Sequence, residues 1–290
     1  MNILVTGGTG FVGTNLIKKL LKNKDNNIIS YDSYYVGKIE NEQIGCKYYH
    51  QDLANGYWYI REDIDVIYHL AAFARIQPSI KNPVETLKNN YLSTLNIIET
   101  ASTSGIPIVY SGSSSFHHGI FKSPYAWSKH CGEQLCELYN KAYGLRTAIA
   151  RFYNVYGPYQ IEDGRWSTVL GIFEKQYRQK NPLTIVGTGE QRRDFTHIDD
   201  IVDGLIAIGD LIISQKKAPD NVPVFELGRG KNHSINEIAA MFGKDYPREY
   251  IPTRKGEYDI TLADLSYAKT YLNYSPTKNI EDYIHKIVNS

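Results

Sequence analysis

The sequence predicts an α/β protein built on a doubly wound parallel sheet, and three observations predict it. Short aliphatic and β-branched runs alternate with longer segments of helical periodicity. The first run ends in a glycine-rich loop, Gly7-Gly8-Thr9-Gly10-Phe11-Val12-Gly13, that opens a helix. The alternation holds to about residue 150 and then gives way to turn-rich sequence. Strands buried on both faces read as unbroken apolar runs, and helices on both faces are what buries them.

Ile3-Leu4-Val5 is the first strand, and Phe11, Val12, Leu16, Ile17, Leu20 and Leu21 then fall on one helix face. Ile28-Ile29-Ser30-Tyr31, Lys47-Tyr48-Tyr49-His50 and Asp65-Val66-Ile67-Tyr68-His69-Leu70 read as the next three strands. A helix is expected from about Val84 to Ser102, a fifth strand over Ile106-Pro107-Ile108-Val109-Tyr110, and a helix from Pro124 to Tyr143 before Thr147-Ala148-Ile149-Ala150. Beyond Asn154, turns such as Tyr156-Gly157-Pro158 and Val186-Gly187-Thr188-Gly189 interrupt the pattern. The division expected is a cofactor-binding domain over residues 1–154 and a mainly substrate-binding, smaller lobe over 155–290, some of whose elements return to the first domain.

With 32 basic and 31 acidic residues, the formal net charge of +1 lacks the one-signed field of a nucleic-acid binder. Cys46, Cys131 and Cys136 form no CxxC pair, so a disulfide framework is not expected and a reducing cytoplasm is. No signal peptide is read at Met1–Thr6, and no apolar run is long enough to span a membrane. No metal site is expected: His117 and His118 are adjacent, lack matching ligand spacing and read as a flexible loop pair.

The glycines permit a tight turn, close approach of backbone to a pyrophosphate and close helix–strand packing. The helix N-terminus then presents unpaired N–H groups to phosphates. Asp32 follows nineteen residues after Gly13, at the end of the second strand. A carboxylate there accepts from both ribose hydroxyls and repels a 2′-phosphate, so the loop reads as a Rossmann-type site for NAD rather than NADP.

Tyr125 and Lys129 stand at i and i+4 on one helix face. A free tyrosine, with a pKa of about 10, is a poor base at neutral pH, and nearby positive charge lowers that value. Three such pairs occur, the others being Tyr34/Lys38 and Tyr274/Lys278. Only the Tyr125 pair opens a helix just after the fifth strand, whose carboxyl end carries Ser111-Gly112-Ser113-Ser114-Ser115. Ligands of α/β sheets bind at that end.

With Asp52-Leu53, His69-Leu70-Ala71-Ala72, Asn90, the Arg151–Pro158 run, Gly187–Phe195 and Arg254-Lys255-Gly256-Glu257 in order, the chain resembles the extended short-chain dehydrogenase/reductase family. The resemblance is to its NAD-dependent sugar-nucleotide epimerase and dehydratase branch, and within that to UDP-hexose 4-epimerases. It implies cofactor contacts from Gly7, Gly10, Phe11, Val12, Gly13, Asp32, Asp52, Leu53, Leu70, Ala71, Ala72, Asn90, Tyr125, Lys129 and Phe152, with Asp52 and Leu53 beside the adenine. It implies a catalytic group of Ser113, Tyr125 and Lys129. Ser113, Asn154, Val169, Arg193 and Arg254 would hold the nucleoside-diphosphate sugar. It also implies a homodimer through the two long helices flanking the fifth strand.

The reaction implied is epimerisation at C4 through a transient 4-keto sugar. The rivals are a 4,6-dehydratase or 4-keto reductase on the same scaffold and, more distantly, a non-enzymatic NAD-sensing regulator. Dehydratases carry acidic residues where this chain has Ser114 and Ser115. The chain departs from the family pattern at Phe116-His117-His118-Gly119, in a shortened Ser113–Tyr125 segment, and at Arg75, where relatives often carry a small polar residue near the hexose. Arg75 is read as a solvated or structural residue, with an acidic sugar as the alternative.

Overall fold

The computed structural model of the protein describes residues 1–55, 60 and 62–289. In chain order its first half runs β1 (Asn2–Thr6), α1 (Phe11–Leu20), β2 (Asn27–Asp32), β3 (Cys46–His50), β4 (Val66–His69), α2 (Ile76–Lys81), α3 (Pro83–Ser104), β5 (Ile108–Ser113), α4 (Pro124–Tyr143) and β6 (Thr147–Phe152). Then follow β7 (Val155–Tyr156), α5 (Val169–Arg178), β8 (Leu183–Val186), β9 (Arg192–Asp194), β10 (Thr196–His197), α6 (Ile198–Ser214), β11 (Val224–Leu227), β12 (Asn232–Ser234), α7 (Ile235–Met241), β13 (Arg248–Ile251), α8 (Ser266–Leu272) and α9 (Ile280–Val288).

The main sheet is parallel, in the order β11-β6-β5-β4-β1-β2-β3. Its faces carry separate cores. Leu16, Ile17, Ile201 and Leu205 of α1 and α6 pack one side, and Ile97, Ile98, Leu135 and Cys136 of α3 and α4 pack the other. A third core, separate from these two, gathers around Leu170, Phe173, Ile185, Ile238 and Ile284. β11 and α6, late in the chain, belong to the main sheet and its cover.

The long helices start and stop where their sequences say. Ser123 caps α4 by accepting from Ala126 N at 3.1 Å, and Pro124 occupies the first turn, where its missing N–H costs nothing. Gly105 and Gly144 end α3 and α4 in the left-handed conformation. The fifth strand differs from the sequence reading: it starts at Ile108 and runs through Ser113, where Tyr110 was the expected end. Serine and glycine are weak strand formers, but pairing of Ser111, Gly112 and Ser113 with Ala150, Arg151 and Phe152 of β6 overrides that preference.

Candidate active site

The strand order reverses between β1 and β4, so the loops leaving their carboxyl ends part to form a crevice. A cavity of about 1000 Å³ fills it. Its lining includes Gly7, Gly10, Phe11, Val12, Gly13, Asp32, Asp52, Leu53, Leu70, Ala71, Ala72 and Phe152 at one end, with Ser113, Tyr125, Asn154, Val169, Arg193 and Arg254 towards the other. Thus most residues singled out from the sequence meet in one space. Asn90 and Lys129 stand behind its wall.

The cradle suits a dinucleotide. Gly7 has φ +73°, and a Cβ there would lie 2.9 Å from the Ala71 backbone; one on Gly13 would lie 2.2 Å from the Gly7 carbonyl. Any side chain at either position would therefore collide with the backbone of the loop itself or of the segment after β4, so the tight turn and the close helix–strand packing both require glycine. Asp32 is buried, and its two oxygens accept from Thr9 N (2.9 Å) and Tyr34 N (2.8 Å), which fixes the carboxylate while leaving lone pairs for hydroxyl donors. Asp52 is similarly held by Ala54 N at 2.9 Å.

A threonine–histidine relay, missed in the sequence, sets the spacing of the crevice. Thr6 Oγ1 accepts from Leu70 N and Ala71 N, both at 3.2 Å, so its hydroxyl must donate to His69 Nδ1 at 2.8 Å. The ring then carries its proton on Nε2 and donates to Thr94 Oγ1 at 3.1 Å. Burial, aided by the charge of Lys129, pushes His69 down to about 3, so it stays neutral and the relay is fixed.

At the carboxyl end of β5, Ser113 Oγ accepts from Ser115 N (3.2 Å) and Ser115 Oγ (2.9 Å). Its own hydrogen is free for the Tyr125 phenol, to which it is bonded. Burial raises the Tyr125 pKa, while the Ser113 bond and the Arg75 charge oppose the rise. Lys129 is tied to the end of β5. Its ammonium donates to Ser111 O (2.7 Å) and Ser111 Oγ (3.1 Å) and lies 4.9 Å from the Tyr110 ring centre. Burial holds it down to about 8, with Glu133 opposing. The other two tyrosine–lysine pairs are excluded by position: Tyr34 donates to Glu42 (2.5 Å), and Tyr274 is buried, donating to Gly228 O (3.1 Å).

The shortened segment after Ser113 is ordered by contacts, in place of the flexible histidine pair expected. It forms a 3-10 turn over Ser114–His118. His117 bonds Glu226, and His118 stacks on Tyr258 with ring centres 4.9 Å apart. Phe116 lies 3.6 Å over the Arg151 guanidinium, which is itself clamped by Glu133 at 3.0 and 2.6 Å. Arg193 is buried with Glu257 at 3.2 Å, and Arg254 sits exposed on the rim. Across the cavity, Tyr35 stacks on Phe73 (4.8 Å), Phe73 meets Trp166 (5.3 Å), and Arg165 donates to Tyr35 Oη (2.5 Å). Nothing in the local sequence at Trp166, a turn-rich stretch, signals that closure.

Comparison with known proteins decides which family this site belongs to. Residues 3–220 match the model of the NAD dependent epimerase/dehydratase family. The chain belongs to that family. A UDP-glucuronate 4-epimerase of Thermodesulfobacterium geofontis is 33% identical over 99% of this chain and 94% of its own length. The UDP-glucose 4-epimerase of Thermotoga maritima, solved with UDP-glucose, superposes with a TM-score of 0.86 at 27% identity, covering 100% of this chain and 98% of its own. A UDP-glucuronic acid 4-epimerase of Bacillus cereus, solved with NAD and a fluorinated substrate analogue, gives 0.87 at 30% identity with the same coverage. The family is NAD dependent, in keeping with the cradle around Gly7 and Asp32.

Proposed function

We propose that the protein interconverts the two C4 epimers of a nucleoside-diphosphate hexose, a UDP-hexose in the first instance, with NAD as resident cofactor. One observation carries the reading. Tyr125, bonded to Ser113, shares a cavity with the dinucleotide cradle, and no carboxylate lines the wall beside it among the described residues. The lining carboxylates are Asp32 and Asp52 at the cradle and Glu257, which is paired with Arg193. Dehydration needs an additional acid and base near the sugar, and Ser114 and Ser115 cannot supply them, since a hydroxyl does not ionise near neutral pH.

NAD would be held by the 7–13 loop, Asp32, Asp52 and Leu53, and when bound it supplies a reversible hydride acceptor and a cationic ring. Tyr125 takes the proton of the sugar 4-hydroxyl and returns it, and Ser113 donates to the phenolate oxygen. Lys129 braces the end of β5 through Ser111 and lends positive charge beneath the site. Arg193 and Arg254 hold the diphosphate, a group that guanidinium donors fit bidentately. Asn154 and Val169 line the sugar-nucleotide end.

Val84 and Tyr91 of α3 and Trp127 and Leu138 of α4 expose apolar surface on the paired long helices, supporting a homodimer through that face. Three cysteines that form no disulfide support a reducing, cytoplasmic setting. Among the described residues no helix is long and apolar enough to cross a membrane. Incubation with UDP-glucose, UDP-galactose and UDP-glucuronate, followed by NMR of the products, tests the reading. A C4 epimer should accumulate with the C6 substituent intact, and a 6-deoxy-4-keto product overturns it.

A further inference from the structure

The turn that follows β5 is held by side chains that the proposed reaction leaves unused. Gly112 of β5, Arg151 of β6 and Glu226 of β11 stand in one row across three neighbouring strands. The turn over Ser114–His118 is fastened to that row by two successive residues. The Phe116 ring centre lies 3.6 Å from the Arg151 guanidinium carbon, and His117 Nε2 bonds Glu226 Oε1. Both residues are exposed, so neither is there to fill the core.

The two fixing points are themselves held. Arg151 donates to the Glu133 carboxylate at 3.0 and 2.6 Å, and both side chains of that bidentate pair are buried. A Cβ on Gly112 would lie 2.7 Å from Glu133 Oε1, so the glycine gives the carboxylate its room. An arginine clamped in this way offers a fixed flat face to the ring above it. Glu226 is kept in place by accepting from Tyr153 Oη at 2.7 Å and from Asp264 N at 2.8 Å.

This fastening reaches Ser113 through one residue. Ser115, directly before Phe116, donates to Ser113 Oγ from its N–H at 3.2 Å and from its hydroxyl at 2.9 Å. With both lone pairs taken, the Ser113 hydroxyl has one direction left in which to donate. The place of Ser115 therefore decides where Ser113 points, and the two residues that follow decide the place of Ser115. We propose that Phe116 and His117 are positioning residues which, fastened to Arg151 and Glu226, aim the Ser113 hydroxyl at the proton-transfer site. This rests on the reading of Ser113 as part of the catalytic group. A misplacement of about 1 Å can cost such a site about 10²-fold in rate, so contacts outside the cavity can matter to turnover.

The test uses the full-length, NAD-loaded protein with Phe116→Ala, Phe116→Tyr, His117→Ala and His117→Gln, each with and without Ser113→Ala. With UDP-glucose as substrate, Phe116→Ala should lower kcat about tenfold and His117→Ala about threefold, with KM nearly unchanged. Phe116→Tyr keeps the ring and His117→Gln keeps a donor to Glu226, so each should restore most of the rate. In the Ser113→Ala background neither alanine change should lower kcat further, because the group they aim is gone. Hydrogen exchange of residues 113–118, followed by mass spectrometry, reads the turn without turnover and should quicken about tenfold in Phe116→Ala. Unaltered exchange and kcat in both alanine variants overturn the proposal. Losses that multiply with that of Ser113→Ala overturn it as well, since the two residues would then act elsewhere. If exchange quickens while Ser113→Ala and Tyr125→Phe stay fully active, the fastening stands and the epimerase reading fails.

Discussion

The dinucleotide end of the cavity is made by backbone, and the sugar end by side chains. Residues 7–13 follow one another in sequence and form a turn packed too tightly for side chains at Gly7, Gly8 and Gly13, with Asp32 held rigid by two backbone donors. Ser113, Tyr125, Asn154, Arg193 and Arg254 reach the other end from five separate segments. Changes at the first end should therefore act on affinity through shape. Changes at the second should act on the rate through particular functional groups.

The largest effect that would sharpen this contrast is at Tyr125. Tyr125→Phe should lower kcat by about 10²-fold or more, since positioned proton transfer contributes that much. NAD affinity and thermal unfolding should stay near the parent's. Tyr34→Phe should change kcat little. Tyr274→Phe should cost about 1 kcal/mol of stability, by loss of its buried bond to Gly228, and leave kcat alone. Equal losses of kcat in all three variants would dissolve the distinction.

Gly13→Ala tests the backbone end. Its Cβ would sit 2.2 Å from the Gly7 carbonyl, so the loop must shift. Overpacking typically costs about 1–3 kcal/mol, or roughly tenfold or more in NAD affinity by calorimetry. A normal affinity would show that the cradle is not backbone-defined. Asp32→Ala should be milder, narrowing the preference for NAD over NADP by about tenfold. Equal binding of the two cofactors by the parent protein would contradict the role given to Asp32.

The smallest expected effect lies away from both ends. Burial pushes the Glu174 carboxyl up to about 7, where it accepts from Gln160 at 2.6 Å. Its folded pKa exceeds the unfolded value, so the stability it contributes is present at acid pH and lost as pH rises through about 7. Glu174→Gln should thus gain about 1 kcal/mol above pH 7, seen as a higher Tm, and gain nothing near pH 4.5. Both profiles lying parallel would refute the assignment.

The same contrast explains what could be read in the sequence. The glycine loop and Asp32 are local signals, because strand, turn and helix must succeed one another for the chemistry to work. Tyr125 was legible only through its place after the fifth strand, which distinguishes it from Tyr34 and Tyr274. Arg75 could be singled out as a solvated or structural residue, but its partner could not, since Trp166 lies ninety-one residues away. Asn90, expected at the cofactor, shows its structural contacts only once Phe73 is beside it. The Thr6–His69–Thr94 relay joins three segments by side-chain bonds, and no spacing rule reports it. α2 carries Pro78 within six residues, too short and too interrupted for periodicity to show.

The most direct test of the account is the fate of the hydrogen on C4. A UDP-hexose deuterated at C4 should be converted by the NAD-loaded protein into both C4 epimers, each keeping the label at C4 and the oxygen at C6, as read by NMR. Label appearing at C6 with loss of the 6-hydroxyl would contradict the account.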